Sequence, residues 1–205
     1  MISLRVYHRL PRITTLGPGV RFCIWVQGCR RRCPGCLSPD SRPFDGGELL
    51  SVDELAEEIN STTDINGLTI SGGEPFEQAP ALFNLLLAVK RHRDLGVIIY
   101  TGYRMEELQL LASPENCYSD LLACTDLLID GPYEAELNDG RSLRGSSNQR
   151  ALVLTDRYAE FVQSLYGVGG RKVEMFLDAT EHSYAGIPPA SFLRVWQDQK
   201  ERKDP

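Results

Sequence analysis

Three cysteines lie within eight residues of one another, in Cys29-Arg30-Arg31-Arg32-Cys33-Pro34-Gly35-Cys36. The spacing is C-x3-C-x2-C, and no histidine lies near it. Pro34-Gly35 turns the segment back on itself, so three sulfurs can approach a common point. Thiolates without imidazole suit a soft metal centre. A structural zinc site closes with four ligands, and a cubane iron–sulfur cluster normally takes four thiolates. Three fall one short of either, and a [4Fe–4S] cluster held by three would leave one iron open for another ligand. The competing reading is a zinc loop with Cys23 as fourth ligand, but Cys23 lies inside an apolar run, where a free cysteine packs as a small hydrophobe.

The apolar run Val20 to Gln27 reads as the strand that delivers this loop. A second strand, Gly67-Leu68-Thr69-Ile70, ends in Ser71-Gly72-Gly73-Glu74-Pro75. Glycines there permit close backbone approach and positive φ, and a carboxylate there can accept a charge-assisted hydrogen bond from an ammonium group. A plain turn before a proline is the alternative. Further expected strands are Ile2 to Arg9, Gly96 to Tyr100, Leu127 to Ile129, Ala151 to Leu154 and Lys172 to Leu177. Expected helices are Gln78 to His92, Met105 to Leu111, Tyr118 to Ala123, Asp156 to Tyr166 capped by Asp156, and Ala190 to Gln199. One more begins at Ser51, where Ser51-Val52-Asp53-Glu54 has the form of a capping box. Ser38 to Gly47 and Glu181 to Pro189 read as loops.

Strands alternating with helices predict an α/β fold with mainly parallel strands. The chemistry-bearing segments all fall just after strands, and the carboxyl ends of parallel strands are where such folds bind ligands. The length of 205 residues suits a single domain, and 42% apolar with 24% charged residues is ordinary for a globular chain. The formal net charge of −6 argues against a nucleic-acid surface. No run is long enough to span a membrane, and the N-terminus lacks the pattern of a signal peptide. Six cysteines in such a chain fit a reduced metal site in the cytoplasm better than a disulfide framework.

The cysteine loop followed by Gly-Gly-Glu one strand later resembles the radical S-adenosylmethionine (SAM) enzymes. Gly17-Pro18-Gly19-Val20-Arg21-Phe22 resembles the entry segment of glycyl-radical-enzyme activases. Tyr100-Thr101-Gly102-Tyr103, Asp130-Gly131-Pro132-Tyr133 and Arg144-Gly145-Ser146-Ser147-Asn148-Gln149-Arg150 resemble the activating proteins of anaerobic ribonucleotide reductases.

The likeness runs over about residues 15 to 155. It implies an incomplete open (β/α) barrel. Residues from about 156 to 205 lie beyond the likeness and read as a strand–helix extension; its large apolar side chains predict that it docks on the core, extending the sheet or covering its edge. The likeness implies Cys29, Cys33 and Cys36 as ligands of a [4Fe–4S] cluster whose open iron is chelated by the amino and carboxylate groups of SAM. One electron from the reduced cluster then splits SAM to methionine and a 5′-deoxyadenosyl radical, which abstracts a hydrogen atom from a glycyl radical enzyme. Ser71, Gly72, Gly73 and Glu74 are implied for the methionine ammonium, backbone at Gly35 and Leu37 for the adenine, and Thr101 for a further SAM contact.

One departure concerns the SAM carboxylate. Some activases place a lysine after the strand that here ends at Asp130, where this chain has Gly131-Pro132. Arg144 or Arg150 stands as a substitute, since arginine forks suit carboxylates; either is equally a surface ion pair. Arg30, Arg31 and Arg32 would raise the cluster potential and steer an acidic flavodoxin or ferredoxin-type electron donor, unless they are simply a solvated loop. Two other functions stay open: a radical SAM enzyme acting on another peptide or a small molecule, which the extension favours, and an iron–sulfur electron carrier or zinc-stabilised binding module, which would have no use for Gly72 to Glu74.

Overall fold

In the computed structural model, residues 2–165, 170–177 and 182–189 are described, together with residues 192 and 196. The centre is a seven-stranded sheet in the order β3-β1-β2-β4-β5-β6-β7. Its strands are β1 (Ser3–Ile13), β2 (Arg21–Val26), β3 (Glu48–Ser51), β4 (Gly67–Gly72), β5 (Gly96–Tyr100), β6 (Leu127–Asp130) and β7 (Arg150–Val153). The pairs β2–β4, β4–β5 and β5–β6 are parallel, whereas β1–β2, β1–β3 and β6–β7 are antiparallel. The parallel expectation therefore holds for the four central strands, and the flanks turn it into a mixed sheet.

The alternation of each central strand divides the sheet into two faces, as the two-residue period of a strand requires. Phe22, Ile24 and Val26 of β2, Val97 and Ile99 of β5, and Leu128 of β6 join one core with the helices. These helices are α1 (Val52–Ser61), α2 (Ala79–Lys90), α3 (Met105–Leu111) and α4 (Tyr118–Ala123). Cys23, Trp25, Ile98, Tyr100, Leu127 and Ile129 point to the opposite face. Central parallel strands must be apolar on both sides for this reason. At the foot of that second face Arg21 is fully buried with neutral partners: Thr69 Oγ1 at 2.6 Å, Tyr158 Oη at 2.9 Å and Gly96 O at 3.0 Å.

Three local expectations are corrected. The capping box at Ser51 is not made, because its side chain caps no backbone N–H; the short strand β3 leads straight into α1. The helix expected from Asp156 begins as a 3-10 turn at Asp156–Tyr158 with Thr155 at its N-cap, and α5 occupies Ala159–Leu165. The stretch taken for a loop at Glu181 to Pro189 holds a strand, β9 (His182–Gly186), paired antiparallel with β8 (Val173–Leu177). The expected helix Ala190 to Gln199 lies outside the described residues, apart from Phe192 and Trp196. Those two rings stack at 5.8 Å and both meet Tyr184 edge-on.

The β8–β9 hairpin neither extends the sheet nor covers its edge. It lies on the face away from the helices, where Ala185 and Ile187 bury against Ile13, Leu16 and Cys23, and Phe176, Trp25, Leu37 and Tyr100 pack on the same cluster. Glu174 accepts the Thr14 N–H at 3.0 Å, and Arg171 donates to the carbonyls of Arg141, Arg144 and Gly145 at 3.0, 2.6 and 2.7 Å. A buried large apolar side chain is worth about 1.5–3 kcal/mol. Deleting residues 168–205 is therefore expected to destabilise the cluster-free chain by several kcal/mol, lowering its melting temperature by on the order of 10 °C. Thermal unfolding followed by circular dichroism checks this, and an unchanged midpoint would show that the extension adds nothing to the fold.

Candidate functional site

The cysteine loop leaves β2 at its carboxyl end and is held by backbone hydrogen bonds. Gly28 N donates to Ser41 O at 2.8 Å, and Cys29 N donates to Arg42 O at 3.0 Å. Gly35 has φ +68°, the left-handed turn that Pro34-Gly35 anticipates, and a Cβ there would lie 3.2 Å from Ala135. Cys29, Cys33 and Cys36 are free and half-buried. Burial pushes the Cys29 thiol up to about 11, with the charges of Glu74, Cys36 and Cys33 adding to the effect, and burial raises Cys36 as well. The buried thiols of Cys29 and Cys36 need a cation to become thiolates, as bound metal provides. Among the described residues, no three His, Cys, Asp or Glu side chains converge on a point one metal ion could occupy. A multi-iron cluster, in which different irons take different sulfurs, suits this donor set better than a single zinc.

The Gly-Gly-Glu segment is fastened to that loop through the continuing parallel ladder. Gly73 N donates to Val26 O at 2.7 Å and Glu74 N to Gly28 O at 2.9 Å. A Cβ on Gly72 would lie 2.5 Å from Val26 N, and one on Gly73 would lie 2.3 Å from Gly28 O. The close approach that these glycines permit is thus between the ends of β4 and β2, bringing the residue before Cys29 against the residue before Glu74.

Glu74 is 1% exposed. Its Oε1 accepts from Thr101 Oγ1 at 2.8 Å and Phe76 N at 3.1 Å, and its Oε2 accepts from Gly102 N at 2.8 Å. An oxygen of a carboxylate offers two lone pairs, so Oε2 keeps one in reserve. Burial pushes this carboxyl up to about 7, against the pull of its three donors and of Arg31. Thr101 is buried, giving its hydroxyl proton to Glu74 and accepting from Tyr103 N at 3.1 Å. It links the ends of β4 and β5. Ser71 is the penultimate residue of β4, opposite Trp25, and is half-buried, and Leu37 packs its side chain into the hairpin-covered cluster.

The arginines sort differently from their order in the sequence. Arg30 pairs with Glu77 and lies 5.3 Å over the Phe44 ring. Arg32 is exposed. Arg31 packs over Gly102, its guanidinium 4.6 Å above the Tyr103 ring and 4.0 Å from Glu107. Arg144 pairs with Asp139 of its own loop. Arg150 holds the fully buried Asp130 through Nε at 2.9 Å and Glu106 at 2.8–2.9 Å. Neither Arg144 nor Arg150 reaches Glu74 by a contact of this kind.

The Arg144 to Arg150 block itself is a fastening. Gln149 accepts from Gly145 N at 2.8 Å and donates to Gly131 O at 2.9 Å, and Asn148 donates to Pro132 O at 2.7 Å. Sequence reasoning missed Arg31 as a member of the inner site, because nothing in the run of three arginines separates the middle one from its neighbours.

The sequence model of the 4Fe-4S single cluster domain family matches residues 15–152. The anaerobic ribonucleoside-triphosphate reductase-activating protein of Enterobacteria phage T4 is 34% identical over 68% of this chain and 88% of its own length. Its namesake from Escherichia coli K12 is 29% identical over 70% of this chain and 95% of the relative. The pyruvate formate-lyase-activating enzyme of Streptococcus mutans is 30% identical over 66% of this chain, which spans about half (53%) of that longer protein. Among the described residues, no helix is long and apolar enough to cross a membrane. The chain belongs to the 4Fe-4S single cluster domain family, and within it to the radical SAM activases of glycyl radical enzymes.

Proposed function

We propose that this chain generates a glycyl radical on an anaerobic ribonucleoside-triphosphate reductase, as its similarity to the activating proteins of such reductases supports. The observation that carries the reading is the joining of the cysteine loop to Glu74 through the Glu74 N to Gly28 O hydrogen bond. Cys29, Cys33 and Cys36 would hold the [4Fe–4S] cluster, and Ser71, Gly72, Gly73 and Glu74 would receive the methionine end of SAM. Bound together, cluster and SAM supply reductive cleavage of the sulfonium and hence hydrogen-atom abstraction. The chain's own part is to hold Glu74 dry and fixed between β4 and β5, and to keep the apolar face beneath it closed to water with the β8–β9 hairpin.

Gly35 and Leu37 remain the proposed adenine neighbours. Thr101 acts in this reading through Glu74, and Arg144 by fastening its loop. The sheet is read as an incomplete open barrel, supported by a strand order that leaves β3 and β7 at opposite edges. Core and extension are read as one domain in the reducing cytoplasm, in keeping with free cysteines. A flavodoxin or ferredoxin-type donor fits an exposed basic group at the cluster loop. With Arg30 and Arg31 engaged, Arg32 is the residue that would steer it.

The test is anaerobic incubation of the reconstituted protein with SAM, dithionite and the reductase, with the glycyl radical read by electron paramagnetic resonance. A radical on the reductase, with 5′-deoxyadenosine released in step, is the expected result. Release of 5′-deoxyadenosine without a radical on the reductase would transfer the activity to another peptide or a small molecule.

A further inference from the structure

Resting on the reading of this site as a SAM pocket, we propose that Arg31 binds the carboxylate at the methionine end of SAM, on lone pairs that the open iron leaves free, while Glu74 faces the amino group beside it. The two arginines that the sequence offered for this role are already committed: Arg144 to Asp139, and Arg150 to Asp130 and Glu106. Arg31 is positioned without spending its donors. It is held by stacking at 4.6 Å on Tyr103, and its nearest carboxylate oxygen, on Glu107, stands 4.0 Å away, outside hydrogen-bond range. Among the described residues its guanidinium makes no hydrogen bond, although its side chain is only 23% exposed. A guanidinium fixed through its face keeps its edge free, and that edge is the fork that fits a carboxylate in two parallel bonds.

Its place is set by Gly102. A Cβ there would lie 2.6 Å from Arg31 Cδ and 2.8 Å from Nε, and 3.5 Å from Glu74 Oε2. Arg31 therefore passes directly over the residue whose N–H holds the Glu74 carboxylate. It also leaves the loop between Cys29 and Cys33, beside the ligands of the cluster. An anion-binding edge and a buried carboxylate thus stand side by side at one rim, and the α-amino-acid end of SAM presents a carboxylate and an amino group to match them.

The test compares SAM with decarboxylated SAM, which keeps the amino group and sulfonium and lacks the carboxylate with its bond to iron, so each variant is compared with the parent for the same ligand. Binding is measured by equilibrium dialysis on cluster-loaded protein, with iron counted in every sample. Arg31→Gln is expected to weaken SAM by about tenfold or more while changing decarboxylated SAM by less than about twofold, since a charge-assisted fork is lost from one ligand alone. Gly102→Ala, outside the cluster loop, drives Arg31 from its place without altering charge and is expected to give the same selective loss; it carries the test by itself where Arg31→Gln lowers the iron content. Equal loss of both ligands, or no loss of either, would overturn the inference. A parent protein that binds neither ligand would overturn the SAM pocket itself, and the inference with it.

Discussion

Replacing Cys33 with alanine is expected to leave a soluble protein with no [4Fe–4S] cluster and no SAM cleavage, whereas Cys23→Ala should keep about four irons and four sulfides per chain. The two residues lie ten positions apart in sequence and in opposite surroundings. Cys33 is half-buried in a loop that has no regular secondary structure and can be shaped by what it binds. With Cys29 and Cys36 alone, two of the irons of a cubane would have no protein ligand at all. Cys23 is 1% exposed in the middle of β2, packed among Ile13, Leu16 and Ala185, and burial pushes its thiol up to about 12. A thiol held protonated in this way is a poor metal ligand. Removing its sulfur costs a small cavity, on the order of 1 kcal/mol. Iron and acid-labile sulfide assays on anaerobically purified protein decide the matter. Four irons retained by Cys33→Ala would defeat the assignment, and loss of the cluster from Cys23→Ala would bring the zinc-type fourth ligand back.

The second large effect concerns Glu74. Glu74→Ala strands three buried donors at once: the Thr101 hydroxyl and the N–H groups of Gly102 and Phe76. At about 1–3 kcal/mol for each unsatisfied buried group, less whatever water repairs, the chain should lose about 3–5 kcal/mol of stability, and SAM affinity should fall by more than about tenfold. The same residue predicts a pH dependence. Its carboxyl sits at 4.5 in an unstructured chain and near 7 when folded, because burial opposes its charge. Between those values the folded chain keeps a proton that the unfolded chain has released. Stability contributed by this group therefore falls as pH rises from about 4.5 to about 7 and is level above, a total on the order of 3 kcal/mol. Urea unfolding of the SAM-free protein at several pH values should show that decline in the parent and lose it in Glu74→Ala. A bound ammonium reverses the preference, so SAM binding near pH 6 should release a proton, visible as a buffer-dependent heat in calorimetry. Parallel pH profiles for parent and variant would remove Glu74 from this role.

Much of this architecture was legible in the chain, and the reasons differ by element. The strand Gly96–Tyr100 and the helices Met105–Leu111 and Tyr118–Ala123 agree to the residue with the pattern of apolar positions, because they are bounded by glycine, proline and polar breaks. β3 was hidden because Glu48 to Ser51 is four residues long and pairs with β1 across a distance no local pattern records. β9 was hidden because His182-Ser183-Tyr184-Ala185-Gly186 is small and polar; it becomes a strand through pairing with β8 and burial of Ala185.

At the site, the cysteine spacing is local and was readable. The engagement of Thr101 with Glu74, of Arg150 with Asp130, and of Arg31 with Tyr103 is tertiary. A sequence names the arginines present, and only packing decides which keep their donors free. The glycines are instructive in another way. Gly72 and Gly73 were singled out for closeness to a ligand, and the neighbour that demands their bareness is the backbone of Val26 and Gly28.

That backbone junction has a consequence for the order in which a working molecule is put together. Glu74 N and Gly28 O hold the two loops as one piece, with Cys29 the next residue along. Beyond that junction, Arg30 to Cys36 has no regular secondary structure of its own, whereas Gly28 and Glu74 are already fixed. Iron insertion would complete the site beside a carboxylate already in place, so occupancy by SAM should follow metallation rather than precede it. In a cell short of iron, newly made copies would then draw little on the SAM that methyl transfer also requires, and would compete for it only once they could use it.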